Sequence, residues 1–203
     1  MIKKLYGAPG ACSLAAHIAL HEAGLTFNYV PVDLRTRQTS DGRSLADLNS
    51  KGYVPVLELE DGQILTEVPV VLQYIADLAP EKGLAPPAGA LPLIDCRSGS
   101  LSLTVNFTRH SFRCSCRSSE EVKAQSRARV LQRLTWVDAQ LAGRTYLVGE
   151  QFTVADVYLF VVAGWTKFTG IDVQELTRLG SYLGRIAQRP SVEAAMRAEG
   201  LVK

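Results

Sequence analysis

The sequence predicts two domains, the first α/β and the second all-α. Three observations carry this. Residues 1 to 79 alternate short β-type runs with helical ones. Residues 119 to 200 read as helix throughout. Between them, Ala79-Pro80-Glu81-Lys82-Gly83-Leu84-Ala85-Pro86-Pro87-Ala88-Gly89 has the Pro/Gly/Ala composition of a linker. Strands mixed with helices, followed by helices alone, give an α/β domain over 1–79, a linker over 80–92 and a helical domain over 93–203. A chain of 203 residues buries most of its apolar surface, so neither disulfides nor a structural metal are required.

In the first domain, Ile2 to Tyr6 reads as a short strand and Gly7-Ala8-Pro9-Gly10 as a turn. Cys12 to Ala23 is helical, and Gly24 sits where a glycine with positive φ closes a helix. Phe27 to Val32 is a second strand, Arg35 to Arg43 a polar loop, and Leu45 to Leu48 a short helix. Val54 to Leu59 and Gln63 to Thr66 form a hairpin around Asp61-Gly62. Glu67 opens a helix with Pro69 in its first turn, where the missing N–H costs little. The resulting order, βαβ, a short helix, then ββα, is thioredoxin-like, although other small α/β folds share it. In the second domain, Ser118-Ser119-Glu120-Glu121 carries a Ser-x-x-Glu capping box. Behind it, Val130, Leu134, Val137 and Leu141 fall on one helix face. Thr153-Val154-Ala155-Asp156 is a second capping box, and Arg189-Pro190-Ser191 breaks one late helix and starts the next.

Composition removes several functions. Twenty-two Lys and Arg against 20 Asp and Glu leave a formal charge of +2, without the basic stripe of a nucleic-acid binder. No run approaches 18 apolar residues, so no helix is expected to span a membrane. The stretch behind Met1-Ile2-Lys3-Lys4-Leu5 carries Pro9, Gly10, His17 and His21, a poor signal-peptide core. A cytoplasmic protein with reduced thiols is expected.

Cys12 is the most informative residue. It follows a Gly-rich turn and begins a helix, where the dipole and free N–H groups favour a thiolate. It reads either as a reactive thiol or as a small residue packed beneath the helix start. No Cys-x-x-Cys partner is present, so a resolving thiol would come from a ligand. Val54-Pro55 precedes a strand, so Val54 is either an ordinary edge residue or one whose N–H and C=O pair with an extended peptide. Glu67 and Val68 sit at a helix N-terminus, whose N–H groups can hold a carboxylate while Glu67 takes an ammonium group. Plain dipole complementation by Glu67 is the simpler reading. Arg35, Arg37, Arg43 and Lys51 form a cationic cluster, by default a solvated surface. His17 and His21 have metal-compatible spacing but no third ligand, so helix packing and no metal site are expected.

Together these elements resemble a bacterial beta-class glutathione transferase over residues 1–92 and 118–203. The carriers are Tyr6-Gly7-Ala8-Pro9-Gly10-Ala11-Cys12-Ser13-Leu14, Val32-Asp33-Leu34, Gly52-Tyr53-Val54-Pro55-Val56-Leu57, Leu65-Thr66-Glu67 and Gln73-Tyr74-Ile75-Ala76-Asp77. Phe152-Thr153-Val154-Ala155-Asp156-Val157-Tyr158-Leu159-Phe160 and Ala198-Glu199-Gly200-Leu201 carry it in the second domain. The resemblance implies the glutathione transferase fold, a thioredoxin-like domain followed by an all-α domain, and a homodimer. It implies glutathione as co-substrate with no other cofactor, and a small hydrophobic electrophile as second substrate. Conjugation, disulfide exchange through a Cys12 mixed disulfide and reductive dehalogenation are the possible outputs. A non-catalytic glutathione or apolar-ligand binder, or an interaction module on the same fold, is the alternative. The tripeptide would run antiparallel to Val54, reach Glu67 and Val68 with its γ-glutamyl end, and face Cys12 with its sulfur. Arg37 falls where the family has a glycine-carboxylate-binding Lys, and Val68 where Ser or Gly is usual.

Residues 93 to 117 break the pattern. They lie where the helical domain needs its first long helix, yet show no 3.6-residue period and hold three of the four cysteines. Back-translated with freely chosen synonymous codons and read from the third base of Asp95, the segment gives Leu-Pro-Val-Trp-Leu-Thr-Phe-Ile-Asp-Ser-Glu-Leu-His-Lys-Ala-Phe-Phe-Pro-Leu-Leu. That resembles the helix of the family at this place, so the segment is read as a double frameshift.

Overall fold

The computed structural model describes residues 1–86, 119–148 and 150–202. By contact the chain falls into two compact units, Met1–Ala85 with Arg189–Lys203, and Pro86–Gln188. The irregular segment 93–117 lies outside the described residues.

In the first unit, five strands form a mixed sheet in the order β3-β2-β1-β4-β5. They are β1 Ile2–Gly7, β2 Asn28–Asp33, β3 Gln38–Thr39, β4 Val56–Leu59 and β5 Ile64–Thr66. Strand β1 pairs parallel to β2, with Leu5 opposite Tyr29, and antiparallel to β4, with Tyr6 opposite Val56. The parallel pair needs a crossover, and helix α1, Ser13–Ala23, supplies it. Gly24 closes α1 at φ 68, as expected. Helix α2 is Leu45–Leu48, and α3 is Val68–Leu78. Alternation along the strands puts Tyr6, Val30, Val32 and Val56 into one buried cluster with Leu45 of α2 and Val54. Ile18 and Leu20 of α1 and Val71 and Ile75 of α3 are also fully buried.

Two elements differ from the expectation. The polar loop 35–43 contains β3, whose Thr39 pairs with Val32. The final helix lies with the first unit by contact, whereas the helical domain was expected to extend to residue 203. Two residues of α1 hold it there: Glu22 accepts from the Arg189 guanidinium and the Ser191 hydroxyl, and His17 donates to Glu199.

The second unit contains α4 Glu120–Gln140, α5 Val154–Gly164, α6 Thr166–Thr169 and α7 Thr177–Ala187. Helix α8, Pro190–Ala198, follows in the first unit, with Pro190 in its first turn. The cap of α4 is Ser119, which accepts from the Val122 N–H, one residue later than the expected Ser-x-x-Glu box. On α4, Val130, Leu134 and Val137 are buried, as is Leu141 just beyond it. The capping box at α5 is complete. Asp156 accepts from the Thr153 N–H at 2.8 Å and the Thr153 hydroxyl at 2.9 Å. The same carboxylate accepts from the Leu147 N–H at 2.8 Å and the Tyr182 hydroxyl at 2.6 Å. It therefore ties the turn before α5 and helix α7 to the start of α5.

Candidate active site

The turn between β1 and α1 delivers Cys12. Gly10 has φ 70, a conformation that favours glycine, and the Ala11 N–H donates to the Ala8 carbonyl at 3.0 Å. Ser13, fully buried, pins the same turn. Its Oγ accepts from the Ala8 N–H at 3.0 Å and donates to the Ala8 carbonyl at 3.3 Å. A Cβ at Gly7 would lie 3.0 Å from both Ser13 Oγ and the Tyr29 ring, so any larger residue there would have to push those side chains aside.

Cys12 is the residue immediately before α1, with helical φ and ψ. Its thiol donates to the Val54 carbonyl at 3.2 Å. Two residues far apart in sequence, both singled out above, are thus in contact. The Val54–Pro55 peptide bond is cis. The electrostatics differ from the expected thiolate. Burial pushes the Cys12 thiol from 9.0 up to about 11, opposed by the Cys12 and Ser13 backbone N–H groups and reinforced by the negative charge of Glu67. The helix start does favour the anion, but removing the sulfur from water outweighs it. Cys12 is therefore a protonated hydrogen-bond donor at neutral pH.

Arg37 takes φ 59, a left-handed conformation uncommon outside glycine. Its Nη1 donates to the Gly52 carbonyl at 2.9 Å. Gly52 itself has φ 66, which favours glycine, and a Cβ there would displace the tip of the Arg37 side chain. The guanidinium is thereby fixed beside the segment that leads to Val54, with further N–H donors beyond the one it uses.

Glu67 precedes α3 at φ 73 and ψ 120, and its carbonyl accepts the Val71 N–H. Such backbone positions cost about 1–3 kcal/mol and cluster at ligand-binding sites. Its Oε1 accepts from Lys51 Nζ at 2.6 Å, with both side chains about half exposed. Val68, the first residue of α3, is buried. Arg43, from the same cationic cluster, instead donates to Glu58 at 2.7 Å and stacks over the Tyr6 ring. It is structural.

His17 and His21 stack at 5.1 Å, and His17 Nδ1–H donates to Glu199 Oε1 at 2.9 Å. Among the described residues no group of three or more metal-ligating side chains converges. Sequence reasoning gave no role to Ser13 or Glu199, both of which hold the turn that carries Cys12. Ser13 immediately after the cysteine was a local signal. Glu199 had none beyond its place in the resemblance.

The glutathione S-transferase N-terminal domain model matches residues 10–78, and the C-terminal domain model matches residues 99–190. Glutathione S-transferase GstA of Escherichia coli O157:H7 is 36% identical over 98% of this chain and 99% of its own length. A sphingomonad glutathione S-transferase complexed with glutathione superposes with a TM-score of 0.93 at 45% identity, covering 98% of this chain and 100% of its own. The beta-class glutathione S-transferase of Sphingomonas chungbukensis does so with a TM-score of 0.94, at the same identity and coverage. Two family models along the chain, and relatives matched over nearly their whole length, make this chain a member of the glutathione S-transferase family, within its bacterial beta class.

Proposed function

We propose that this chain joins the sulfur of glutathione to small hydrophobic electrophiles, and that Cys12, Arg37, Val54, Glu67 and Val68 hold the tripeptide. The contact between the Cys12 thiol and the Val54 carbonyl carries the reading, because it fixes a sulfur beside a backbone segment able to pair with a peptide. The cysteine backbone of glutathione lies against Val54. Its glycine carboxylate meets the Arg37 guanidinium, whose planar fork suits a carboxylate. Its α-carboxylate meets the N-terminus of α3 at Val68, and its ammonium meets Glu67. Lys51 already occupies Glu67, but a half-exposed pair contributes only about 0–1 kcal/mol, so sharing or displacing it is cheap.

In conjugation the glutathione thiol releases its proton to solvent, and the sulfur attacks an electrophilic carbon. One carbon–sulfur bond forms and the leaving group departs with its electron pair. Cys12, holding its own proton, turns its single S–H from the Val54 carbonyl to the glutathione sulfur and stabilises the anion. With oxidised glutathione, the minor Cys12 thiolate attacks the disulfide, one mixed disulfide forms and one glutathione leaves as thiolate. An assay with glutathione and a chlorinated nitroaromatic, run beside binding to immobilised glutathione, tests the reading. Turnover together with binding supports it, and binding without turnover would point to a non-catalytic member.

Val68 offers a backbone N–H but no hydroxyl. Val68→Ser should lower the KM for glutathione about five-fold, the worth of one added hydrogen bond of about 1 kcal/mol. It should also lower the melting temperature, because a buried apolar side chain is lost. A KM unchanged or raised would place the γ-glutamyl end elsewhere.

The chain is also proposed to act as a homodimer, with the first domain of one subunit against the helical domain of the other. The family resemblance supports this, and Tyr53 and Val70, 66% and 51% exposed, provide apolar surface on the first unit. Sedimentation at micromolar concentration should show a dimer, and a 22.1 kDa species alone would contradict it.

A further inference from the structure

Strand β4 carries a charge into the interior. Glu58 lies on the same side of the sheet as Val56, two residues before it, and is 6% exposed. Three donors meet its carboxylate. Lys3 Nζ donates to Oε1 at 2.7 Å, and the Tyr6 hydroxyl and Arg43 Nη2 both donate to Oε2 at 2.7 Å. The Arg43 guanidinium also lies over the buried Tyr6 ring, its Cζ 4.8 Å from the centroid. A buried carboxylate is costly, and pairing it adds little net stability compared with an apolar side chain. Lys3 and Tyr6 belong to β1, the neighbour of β4 in the sheet. Arg43 belongs to the connection between β3 and α2, so Glu58 ties that connection to the sheet.

The connection is also bonded within itself. The Thr39 N–H donates to the Arg43 carbonyl at 2.9 Å, and the Arg43 N–H donates to the Thr39 hydroxyl at 2.9 Å. That hydroxyl donates to Asp41 Oδ1 at 2.5 Å, and Lys4 of β1 donates to Asp41 Oδ2 at 2.8 Å. The Leu45 N–H donates to the Arg37 carbonyl at 2.9 Å, which closes the stretch onto Arg37. A displacement of Arg43 is therefore passed along these bonds to the Arg37 backbone. Pairing of Thr39 with Val32 of β2 holds the stretch from its other side, so loss of Glu58 would leave it partly held.

We propose that Glu58 is a positioning residue for the carboxylate end of glutathione: by holding Arg43 it fixes residues 37–45 and so the Arg37 guanidinium beside Gly52. The proposal rests on the reading of Arg37 as the partner of the glycine carboxylate. The negative charge felt by Cys12 is that of Glu67, so Glu58 acts on how the tripeptide is held and leaves the chemistry of the sulfur alone. Removing Glu58 leaves Lys3 and Arg43, with side chains 51% and 39% exposed, within reach of water, so the chain should still fold.

The test compares glutathione with its glycine ethyl ester, which keeps the tripeptide and loses the terminal charge. The readouts are the ratio of the two kcat/KM values with a chlorinated nitroaromatic, and amide hydrogen exchange over residues 37–45 in the free protein. Arg37→Ala should lower the ratio about ten-fold, the worth of one charge-assisted hydrogen bond. Glu58→Leu should lower it about three-fold, through a raised KM for glutathione at nearly unchanged kcat. It should also speed exchange of the Thr39, Arg43 and Leu45 amides about ten-fold. Glu58→Gln keeps an acceptor oxygen and should restore most of the ratio. If Glu58→Leu does not fold, Arg43→Ala breaks the same tie from its more exposed side and should produce both changes. Lys3→Ala removes a partner of Glu58 that lies outside the stretch and should leave ratio and exchange at their wild-type values. A wild-type ratio or wild-type exchange in Glu58→Leu, or in Arg43→Ala where that variant must serve, would overturn the proposal if Arg37→Ala lowers the ratio. So would equal changes in Lys3→Ala, which would make the effect one of general loosening. A ratio unmoved by Arg37→Ala would instead overturn the reading of Arg37, and the proposal would fall with it.

Discussion

Replacing Asp156 by alanine should destabilise the protein by about 4 kcal/mol, the largest single effect on stability expected. The carboxylate is buried and accepts from four donors: the Leu147 and Thr153 N–H groups and the Thr153 and Tyr182 hydroxyls. Leaving buried donors unsatisfied costs about 1–3 kcal/mol each, and partial relaxation and water entry reduce the sum. For a chain of this length a loss of about 4 kcal/mol lowers the melting temperature by roughly 8–16 °C. Asp156→Asn should fall between wild type and Asp156→Ala, because the amide retains one oxygen but turns an NH2 toward the remaining donors. Burial raises the Asp156 pKa and the four donors oppose it, so the network keeps an anion where desolvation disfavours one. Thermal unfolding checks this. Asp156→Ala melting within about 2 °C of wild type would mean that the cap is dispensable.

Replacing Cys12 by alanine should abolish mixed-disulfide formation with oxidised glutathione, while conjugation falls only in part, by roughly ten-fold. The asymmetry follows from which sulfur does the chemistry. In conjugation it is the glutathione sulfur, and Cys12 supplies one hydrogen bond, worth about 1.5 kcal/mol to an anion. In exchange it is Cys12 itself. With its thiol raised to about 11, modification of Cys12 in the absence of glutathione should climb throughout about pH 8–10 and level off only above it. The sign of the linked stability follows. The folded thiol keeps its proton more tightly than the unfolded one, so this contribution is complete below pH 9.0 and is lost as pH rises through about 11. A plateau in modification below about pH 8 would mean a thiolate, as the helix start alone suggested.

Much of the first domain was legible because its elements obey local rules. Gly24 ends α1, Asp61-Gly62 turns the hairpin, Pro69 starts α3, and each rule involves residues within a few positions of one another. What escaped is non-local. Strand β3 is two residues long and exists through pairing of Thr39 with Val32, with no periodicity to mark it. The cap of α4 moved from Ser118 to Ser119, because either serine satisfies the pattern and only backbone geometry chooses. Helix α8 carries an ordinary helical pattern. Its place with the first unit depends on Glu22 and Glu199, each bonded to a partner far away in sequence. At the site, the residue types at positions 12, 54 and 67 were readable, whereas the contact of the Cys12 thiol with the Val54 carbonyl, 42 positions away, was not. The protonation of Cys12 was not. A helix start is visible in sequence, whereas desolvation is a sum over everything that packs around the sulfur.

The mass of the wild-type protein and of Cys12→Ala after incubation with oxidised glutathione, followed by peptide mapping, tests the central claim most directly. The expected result is one glutathione on the peptide containing Cys12, removed by excess reductant and missing from the variant. An equal adduct on the variant, carried by Cys96, Cys114 or Cys116, would contradict it.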